Sequence, residues 1–232
     1  AKSTAVRALA ELLPEIDVVG GCRFSCDPAR PNTWCGQCVA KRQGNGNIAS
    51  AQRRVRVVDL PLNATEEMVI GGLDFGLTVK SGQRYLMPGL LARAHRGFLY
   101  IDEVNLLDDH LVDIILDAAS SGMNQLEREG ISYWHPAEFV LVGSMNPEEG
   151  ELRPQLLDRF GLCVEVSGEP EPEQRLALLE LREAFDLSPH DFHLRFQQDQ
   201  IDAAQAILKA REILPQVRLP GRVRSFITAL SK

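Results

Sequence analysis

The chain has 232 residues, 44% of them apolar and 25% charged, with a net charge of −7 and five cysteines. This is the balance of a globular protein with a substantial core, long enough for one large domain or one domain plus part of another. The acidic balance argues against non-specific binding to nucleic acid or an anionic membrane surface. No apolar run approaches the roughly 20 residues that cross a bilayer, so a cytoplasmic protein is expected.

No signal-peptide pattern opens the chain. It lacks an initiator Met and is expected to start inside a longer protein. Ala5, Val6, Leu9, Leu12 and Leu13 fall at helical spacing, which predicts a helix from Ser3 to about Leu13. Lys2-Ser3 before that helix reads as the second half of a phosphate-binding loop, G-x-x-x-x-G-K-[ST]. In such a loop the helix N-terminus cradles phosphate, the Lys neutralises it and the hydroxyl binds Mg²⁺. The alternative is an ordinary lysine at a frayed end, and the glycines of the motif would lie before Lys2.

Cys22, Cys26, Cys35 and Cys38 form a C-x3-C-x8-C-x2-C pattern interspersed with the turn formers Asp27, Pro28, Pro31 and Asn32. Two close pairs joined by a turn bring four thiolates to a tetrahedral metal such as Zn²⁺. An iron–sulfur cluster takes the same ligands. The alternatives are a set of buried or free thiols, or adventitious disulfides, which are disfavoured in the cytoplasm. Four protein ligands leave no open position, so the expected role is structural.

Residues 39–54 read as a polar surface loop, and Val55–Leu60 as a strand closed by Pro61. Thr65 or Asn63 caps a helix that Gly71-Gly72 interrupts. Leu77–Leu86 suggests a β-hairpin around Ser81-Gly82, with Arg84 and Tyr85 near its tip available to a partner, and a helix resumes from Gly89 to His95. Phe98–Ile101 is continuously apolar, as in a parallel-sheet strand buried on both faces. It ends in Asp102 and Glu103. Open parallel sheets bind ligands beyond these carboxyl ends. Two acids there suit a Walker B pair, one holding Mg²⁺ on a nucleotide and the second activating water. The plainer reading is a solvated acidic turn.

Asp108 caps a helix from about Asp109 to Ser120, ended by Gly122. A short hairpin follows, Gln125–Glu129 and Ile131–His135 around Gly130. Phe139–Gly143 is a second apolar strand. Asn146, just beyond it, stands where a nucleotide hydrolase places a sensor of the γ-phosphate or attacking water; as a bare Asn-Pro it would be a turn. Residues 152–161 form a short helix ending in Arg159-Phe160-Gly161. Arg159 is the candidate arginine finger, with Arg153 second; a surface ion pair is the alternative for both. Leu162–Val166 reads as a third apolar strand, its Cys163 assigned to the core. After Ser167-Gly168 only helical patterns follow, at 172–184, 199–213 and 223–230. The expected domains are therefore an α/β core at 1–168, with the Cys-rich insert at 22–38, and a helical part at 169–232.

Taken together, four stretches resemble the ATPase subunits of magnesium chelatase, a family of AAA+ proteins: Val69–Phe75, Pro88–Ala94, Gly97–Asp113 and Glu127–Ile131. A fifth is the most specific, Val142-Gly-Ser-Met-Asn-Pro-Glu-Glu-Gly-Glu-Leu-Arg-Pro-Gln-Leu-Leu-Asp-Arg-Phe-Gly161. The resemblance implies a P-loop AAA+ α/β core with a helix-2 insert at about 74–87, a pre-sensor hairpin at 124–135 and a helical lid, incomplete in this chain. It implies ATP and Mg²⁺ as cofactors, Lys2 and Ser3 at the end of Walker A, and Asp102 and Glu103 as Walker B. It makes Asn146 sensor 1 and Arg159 the arginine finger. The implied assembly is a homo-oligomeric, usually hexameric, ring. Its partners would be a second AAA-like subunit with an integrin-type domain and a large porphyrin-binding catalytic subunit, the complex inserting Mg²⁺ into protoporphyrin IX on the way to chlorophyll.

Three departures qualify the match. The Walker A glycines are absent, so the chain as given is expected to bind ATP poorly. The sensor 2 arginine would lie beyond Lys232, with Arg222 and Arg224 no safe substitutes. Many plant and cyanobacterial members lack the four-cysteine insert. The alternatives are a chelatase-like or MoxR-like ATPase remodelling another metal-cofactor protein, and a non-hydrolysing metal-binding scaffold.

Overall fold

The computed structural model describes residues 2–44, 46–73, 76, 78–79, 86–128, 131–166, 168 and 171–230. In chain order its elements begin with helix α1 (Lys2–Glu11), strand β1 (Ile16–Val19), helix α2 (Gly36–Gln43) and strands β2 (Ser50–Arg53) and β3 (Val57–Leu60). Next come α3 (Glu66–Ile70), β4 (Gly71–Leu73), β5 (Leu86–Pro88), α4 (Leu90–Ala94) and β6 (Phe98–Ile101). Then follow α5 (Asp109–Ser121), β7 (Met123–Arg128), β8 (Ile131–Pro136), β9 (Val140–Gly143) and α6 (Pro154–Leu157). The last four are α7 (Pro172–Leu187), α8 (Pro189–Arg195), α9 (Gln197–Ile213) and α10 (Gly221–Leu230).

The chain divides into two compact units, one of residues 1–11 and 15–168, the other of residues 12–14 and 169–232. The first is built on a parallel sheet in the order β3–β6–β9. The central strand β6 is buried along its whole length, with Leu99 and Ile101 sealed from solvent. Each such side chain stabilises by roughly 1.5–3 kcal/mol. Around it pack Val58, Leu60, Val69, Leu91, Leu111, Val112 and Ile115, from the flanking strand and from helices α3, α4 and α5. Helix α5 buries Leu111, Val112, Ile115, Leu116 and Ala118. Its cap is Asp108, which accepts from the His110 backbone N–H at 2.9 Å, and Gly122 in the left-handed region ends it.

The second unit is helical, and α8 lies where the sequence was read as a gap between two longer helices. Phe185, Phe192 and Phe196 pack ring against ring, with centroids 5.6 and 4.9 Å apart.

Two expectations need correction. Residues 39–54 are not one loop: α2 occupies the start, and β2 pairs antiparallel with β1. β1 buries Val18 and Val19, but β2, Ser-Ala-Gln-Arg, buries no side chain and is held by its ladder, so alternation in the sequence does not show it. Leu162–Val166 is not a strand. No ladder partner lies beside it among the described residues, and Leu162 and Val164 are 89% and 81% exposed. Cys163 is exposed too, not in the core. The hairpin at 77–86 with Arg84 and Tyr85, and most of the insert at 74–87, lie outside the described residues apart from the paired base β4–β5.

The crossing from α4 into β6 is fastened by His95, which is 1% exposed. Its Nδ1 accepts from the Glu138 backbone N–H at 3.1 Å, and its carbonyl accepts from Arg53 at 2.8 Å. Burial pushes the imidazole down to about 4, opposed by the nearby Glu138 carboxylate. A depressed folded value means that the unfolded chain takes up the proton first on acidification. This contribution is full above about pH 6.5 and lost as pH falls toward 4, on the order of 3 kcal/mol in all. Urea titrations across that window should show the decline, and His95→Gln should flatten it; an unchanged slope would reject this account.

Candidate functional site

The parallel register pairs Ile101 with Gly143, so Asp102 and Ser144 emerge side by side at the carboxyl edge of the sheet. The ladder continues beyond both strands. Ser144 N–H donates to the Ile101 carbonyl and Val104 N–H to the Ser144 carbonyl, each at 2.9 Å. The Ser144 hydroxyl donates to Asp102 Oδ1. Tyr100 precedes Asp102 by two positions and so shares its face of the strand. Its hydroxyl lies 3.0 Å from Asp102 Oδ1, 3.0 Å from Ser144 Oγ and 3.2 Å from Ser3 Oγ. Lys2 Nζ donates to the Met145 carbonyl at 2.7 Å. The hydrogen bond from Ser144 holds the Asp102 carboxyl below the usual carboxylate range; burial opposes it, and the hydrogen bond from Tyr100 and the charge of Lys2 add to the lowering.

Glu103 follows with φ 53° and ψ 49°, in the left-handed region. That conformation costs a non-glycine residue about 1–2 kcal/mol and is the kind of strain found at functional turns. It turns the chain out of the strand and into the 3₁₀ turn Val104–Leu106. Asn146 caps the turn Pro147–Glu149, its Oδ1 accepting from Glu148 N–H at 3.3 Å. Its side chain thus serves a turn at the mouth of the same edge.

The two arginines separate. Arg153 ion-pairs with Asp109 and donates to the Leu107 carbonyl at 2.5 Å, fastening α6 to the start of α5. Arg159 is exposed, and among the described residues its guanidinium makes one long 3.4 Å hydrogen bond, to Ser120 near the end of α5. No hydrogen bond or ion pair joins it to the Asp102 group among the described residues.

The four cysteines form a second centre. Their sulfur atoms all lie within 4.8 Å of one another, with three of the residues buried. Cys22 and Cys35 sulfurs are 3.8 Å apart. A tetrahedral ion with metal–sulfur bonds of about 2.3 Å requires sulfurs about 3.8 Å apart. The Cys35 backbone N–H donates to Cys26 Sγ at 3.2 Å. Hydrogen bonds from Cys26 and Cys35 push the Cys22 thiol down, while Cys26 is pushed up by its bonded neighbours and Cys38 chiefly by burial. One thiolate is stabilised by the thiols around it, and several at this spacing call for a cation. Phe24 and Trp34 pack around the group.

The fold therefore brings Lys2, Ser3 and Asp102 to one edge, with Glu103 and Asn146 on its two loops. Arg159 lies elsewhere, and Cys22, Cys26, Cys35 and Cys38 are gathered separately. The donor set at the edge, carboxylate and hydroxyl oxygens with one ammonium, suits Mg²⁺ and phosphate oxygens. Sequence reasoning missed Tyr100 and Ser144. The available signal was a Tyr inside an otherwise aliphatic buried run, whose hydroxyl must find a partner.

The family described as "Magnesium chelatase, subunit ChlI" matches residues 75–155. The magnesium-chelatase 38 kDa subunit of Acidiphilium rubrum is 54% identical over 222 residues, 96% of this chain and 64% of that protein. A ChlI homolog of Methanocaldococcus jannaschii is 49% identical, with 98% and 62% covered, and ChlI of Chlorella vulgaris 50%, with 94% and 62% covered. The chain thus spans under two thirds of the length of these relatives. Among solved structures, a magnesium-chelatase BchI–BchD complex contains a chain 47% identical with TM-score 0.61, covering 95% of this chain and 66% of that one. The parallel sheet flanked by helices and the helical C-terminal region match that AAA+ neighbour.

Replacing Glu103 by glycine removes the left-handed penalty at the cost of a more flexible unfolded chain. Glu103→Gly should leave the unfolding free energy unchanged or raise it by up to about 1 kcal/mol. A loss above that size in denaturant unfolding would show that the Glu103 side chain, and not strain, dominates at this turn.

Proposed function

Because the chain belongs to the magnesium-chelatase ChlI family over nearly all of its length, we propose that it is part of the ATP-hydrolysing motor subunit of a magnesium chelatase. The complex would drive Mg²⁺ insertion into protoporphyrin IX in (bacterio)chlorophyll synthesis. The observation that carries the reading is the meeting of Lys2, Ser3 and the ionised Asp102 at the carboxyl edge of the parallel sheet.

In this reading Asp102 and Ser3 hold Mg²⁺, and Lys2 neutralises the phosphates. When bound, the ion polarises the terminal phosphate and screens its charge. Tyr100 and Ser144 hold Asp102 ionised and fixed in direction. Glu103, turned out of the strand, orients and deprotonates water. Asn146 senses the γ-phosphate, releasing its turn-capping bond to do so. Arg159 acts on the nucleotide of a neighbouring copy, stabilising charge on the transferring phosphoryl group. A ring, expected to be a hexamer, follows from that division. The BchI–BchD complex among its structural relatives supports a second AAA-like subunit as partner; a large porphyrin-binding subunit would perform the insertion itself. No helix among the described residues is long and apolar enough to cross a membrane, and the proposed place of action is the cytoplasm. Residues 1–168 would be the nucleotide-binding core and 169–232 part of the lid.

The four cysteines would hold one structural Zn²⁺. Sulfurs within 4.8 Å of one another accommodate a single ion more readily than the several iron and sulfide atoms of a cluster.

In the full-length protein, Glu103→Gln should cut kcat for ATP hydrolysis by roughly 10²–10⁴-fold while nucleotide still binds. Turnover equal to wild type would remove Glu103 from this role. Elemental analysis of the purified protein should find one zinc per chain, and Cys26→Ser with Cys35→Ser should abolish it; no metal above background in wild type would sink the zinc assignment.

A further inference from the structure

Tyr133 lies on β8, in the hairpin that follows α5, yet its ring packs against the cysteine-lined core formed by Phe24, Trp34, Cys26, Cys35 and Cys38. Its ring centroid is 5.9 Å from that of Phe24. The Tyr133 hydroxyl is sealed from solvent and has no hydrogen-bond partner among the described residues. A buried hydroxyl without a partner is costly, and native proteins seldom leave one so. The other side chains of this core are Val19, Val39, Ile48, Ala92, Phe24 and Trp34. None of their aliphatic or aromatic atoms accepts a strong hydrogen bond; the indole nitrogen is a donor, and it already bonds the Asp27 carbonyl at 2.5 Å. Among the side chains of this core the remaining polar atoms are the four sulfurs. A thiol sulfur is a weak acceptor, whereas a metal-bound thiolate carries charge and accepts well.

We propose that Tyr133 donates its hydroxyl hydrogen to a metal-bound thiolate of the Cys22, Cys26, Cys35 and Cys38 set, so that the β7–β8 hairpin and the metal module become ordered together. The inference rests on the metal reading above. No covalent step is involved: metal binding releases the thiol protons to solvent, and the tyrosine keeps its own. Tyr133 is a positioning residue, tuning the sulfur donors as outer-shell partners of metal ligands do.

The same hairpin is tied to the module at two further points. His135 stacks on Phe24, with centroids 5.0 Å apart and planes at 17°. Glu138, just beyond β8, ion-pairs with Arg30 of the insert. On its other side the hairpin reaches the base of the β4–β5 insert, where Asn124 donates to the Ile70 carbonyl at 3.0 Å. Metal at the cysteines therefore sets the rigidity of a hairpin that bridges two inserts, and Tyr133 is the one member of that bridge whose polar atom waits for the metal.

The test uses the full-length protein and its Tyr133→Phe variant, which keeps the ring and removes only the hydroxyl. With Co²⁺ in place of Zn²⁺, the sulfur-to-cobalt charge-transfer bands should move to lower energy in the variant, because a hydrogen bond to a thiolate lowers its donor orbital. Zinc transfer to a chromophoric chelator should speed up at least about tenfold. Hydrogen exchange at residues 131–136 should depend on metal in wild type and much less in the variant. Unshifted cobalt bands with transfer rates within about twofold would overturn the role of Tyr133 while leaving the metal site standing. A wild-type protein that takes up neither Zn²⁺ nor Co²⁺ at the cysteines would overturn both.

Discussion

The structure depends on the pairing of β6 with β9 in parallel register and on the continuation of that pairing past both strand ends. Ser144 N–H bonds back to Ile101, and Val104 N–H bonds across to Ser144, each at 2.9 Å. These two bonds lock the loop after one strand to the loop after the other. Asp102 then has a fixed hydroxyl beside it, and Glu103 has to take a left-handed turn to let the chain leave. A shift of register by one residue would move every side chain to the opposite face, and β6 is buried along its whole length between β3 and β9. The apolar packing of Leu99 and Ile101 thus holds the geometry of the carboxylates. Core and site are one construction here, and a substitution that loosened β6 would be felt first at Asp102.

That dependence explains what was legible in the sequence. Phe98–Ile101, Phe139–Gly143 and the capped helix after Asp108 announce themselves by continuous apolar runs and a side-chain cap, and they lie within a residue or so of where they were expected. So does the placement of Asp102 at the sheet edge, because it follows from strand polarity alone. The hydroxyls of Tyr100 and Ser144 were not legible. Their partners are more than forty residues apart or two residues along the same face, and neither relation marks composition or spacing. The strand expected at Leu162–Val166 fails for a different reason. Apolar β-branched residues state a preference, but a strand exists only where a neighbouring backbone completes its ladder.

The cysteine module shows the reverse balance. The spacing of Cys22, Cys26, Cys35 and Cys38 suggested a metal centre before any geometry, and the sulfurs do converge. What spacing could not show is how the module is fastened. The ribbon β1–β2 closes it at the base. Arg96 donates to the Asp17 carbonyl at 2.5 Å and ion-pairs with Asp27 at 3.3 Å, and Trp34 seals it. Arg96, with φ 56°, also donates from its backbone to the Glu138 carbonyl at 2.6 Å. One residue at the entrance to β6 thus joins the module, the central strand and the segment leading into β9.

The position of Arg159 bears on the proposed ring. Among the described residues its guanidinium makes one hydrogen bond, to Ser120, eleven residues along α5 from Asp109, on the order of 16 Å of helix at 1.5 Å per residue. Arg153, by contrast, is tied at the beginning of α5 and is spent on holding that helix. The Arg159 guanidinium is exposed and held by one long bond near the end of α5, with no hydrogen bond or ion pair to the Asp102 group among the described residues. In the proposed ring it would be presented to another copy and completed by that copy's nucleotide, whereas the strain at Glu103 belongs to a turn within the chain itself.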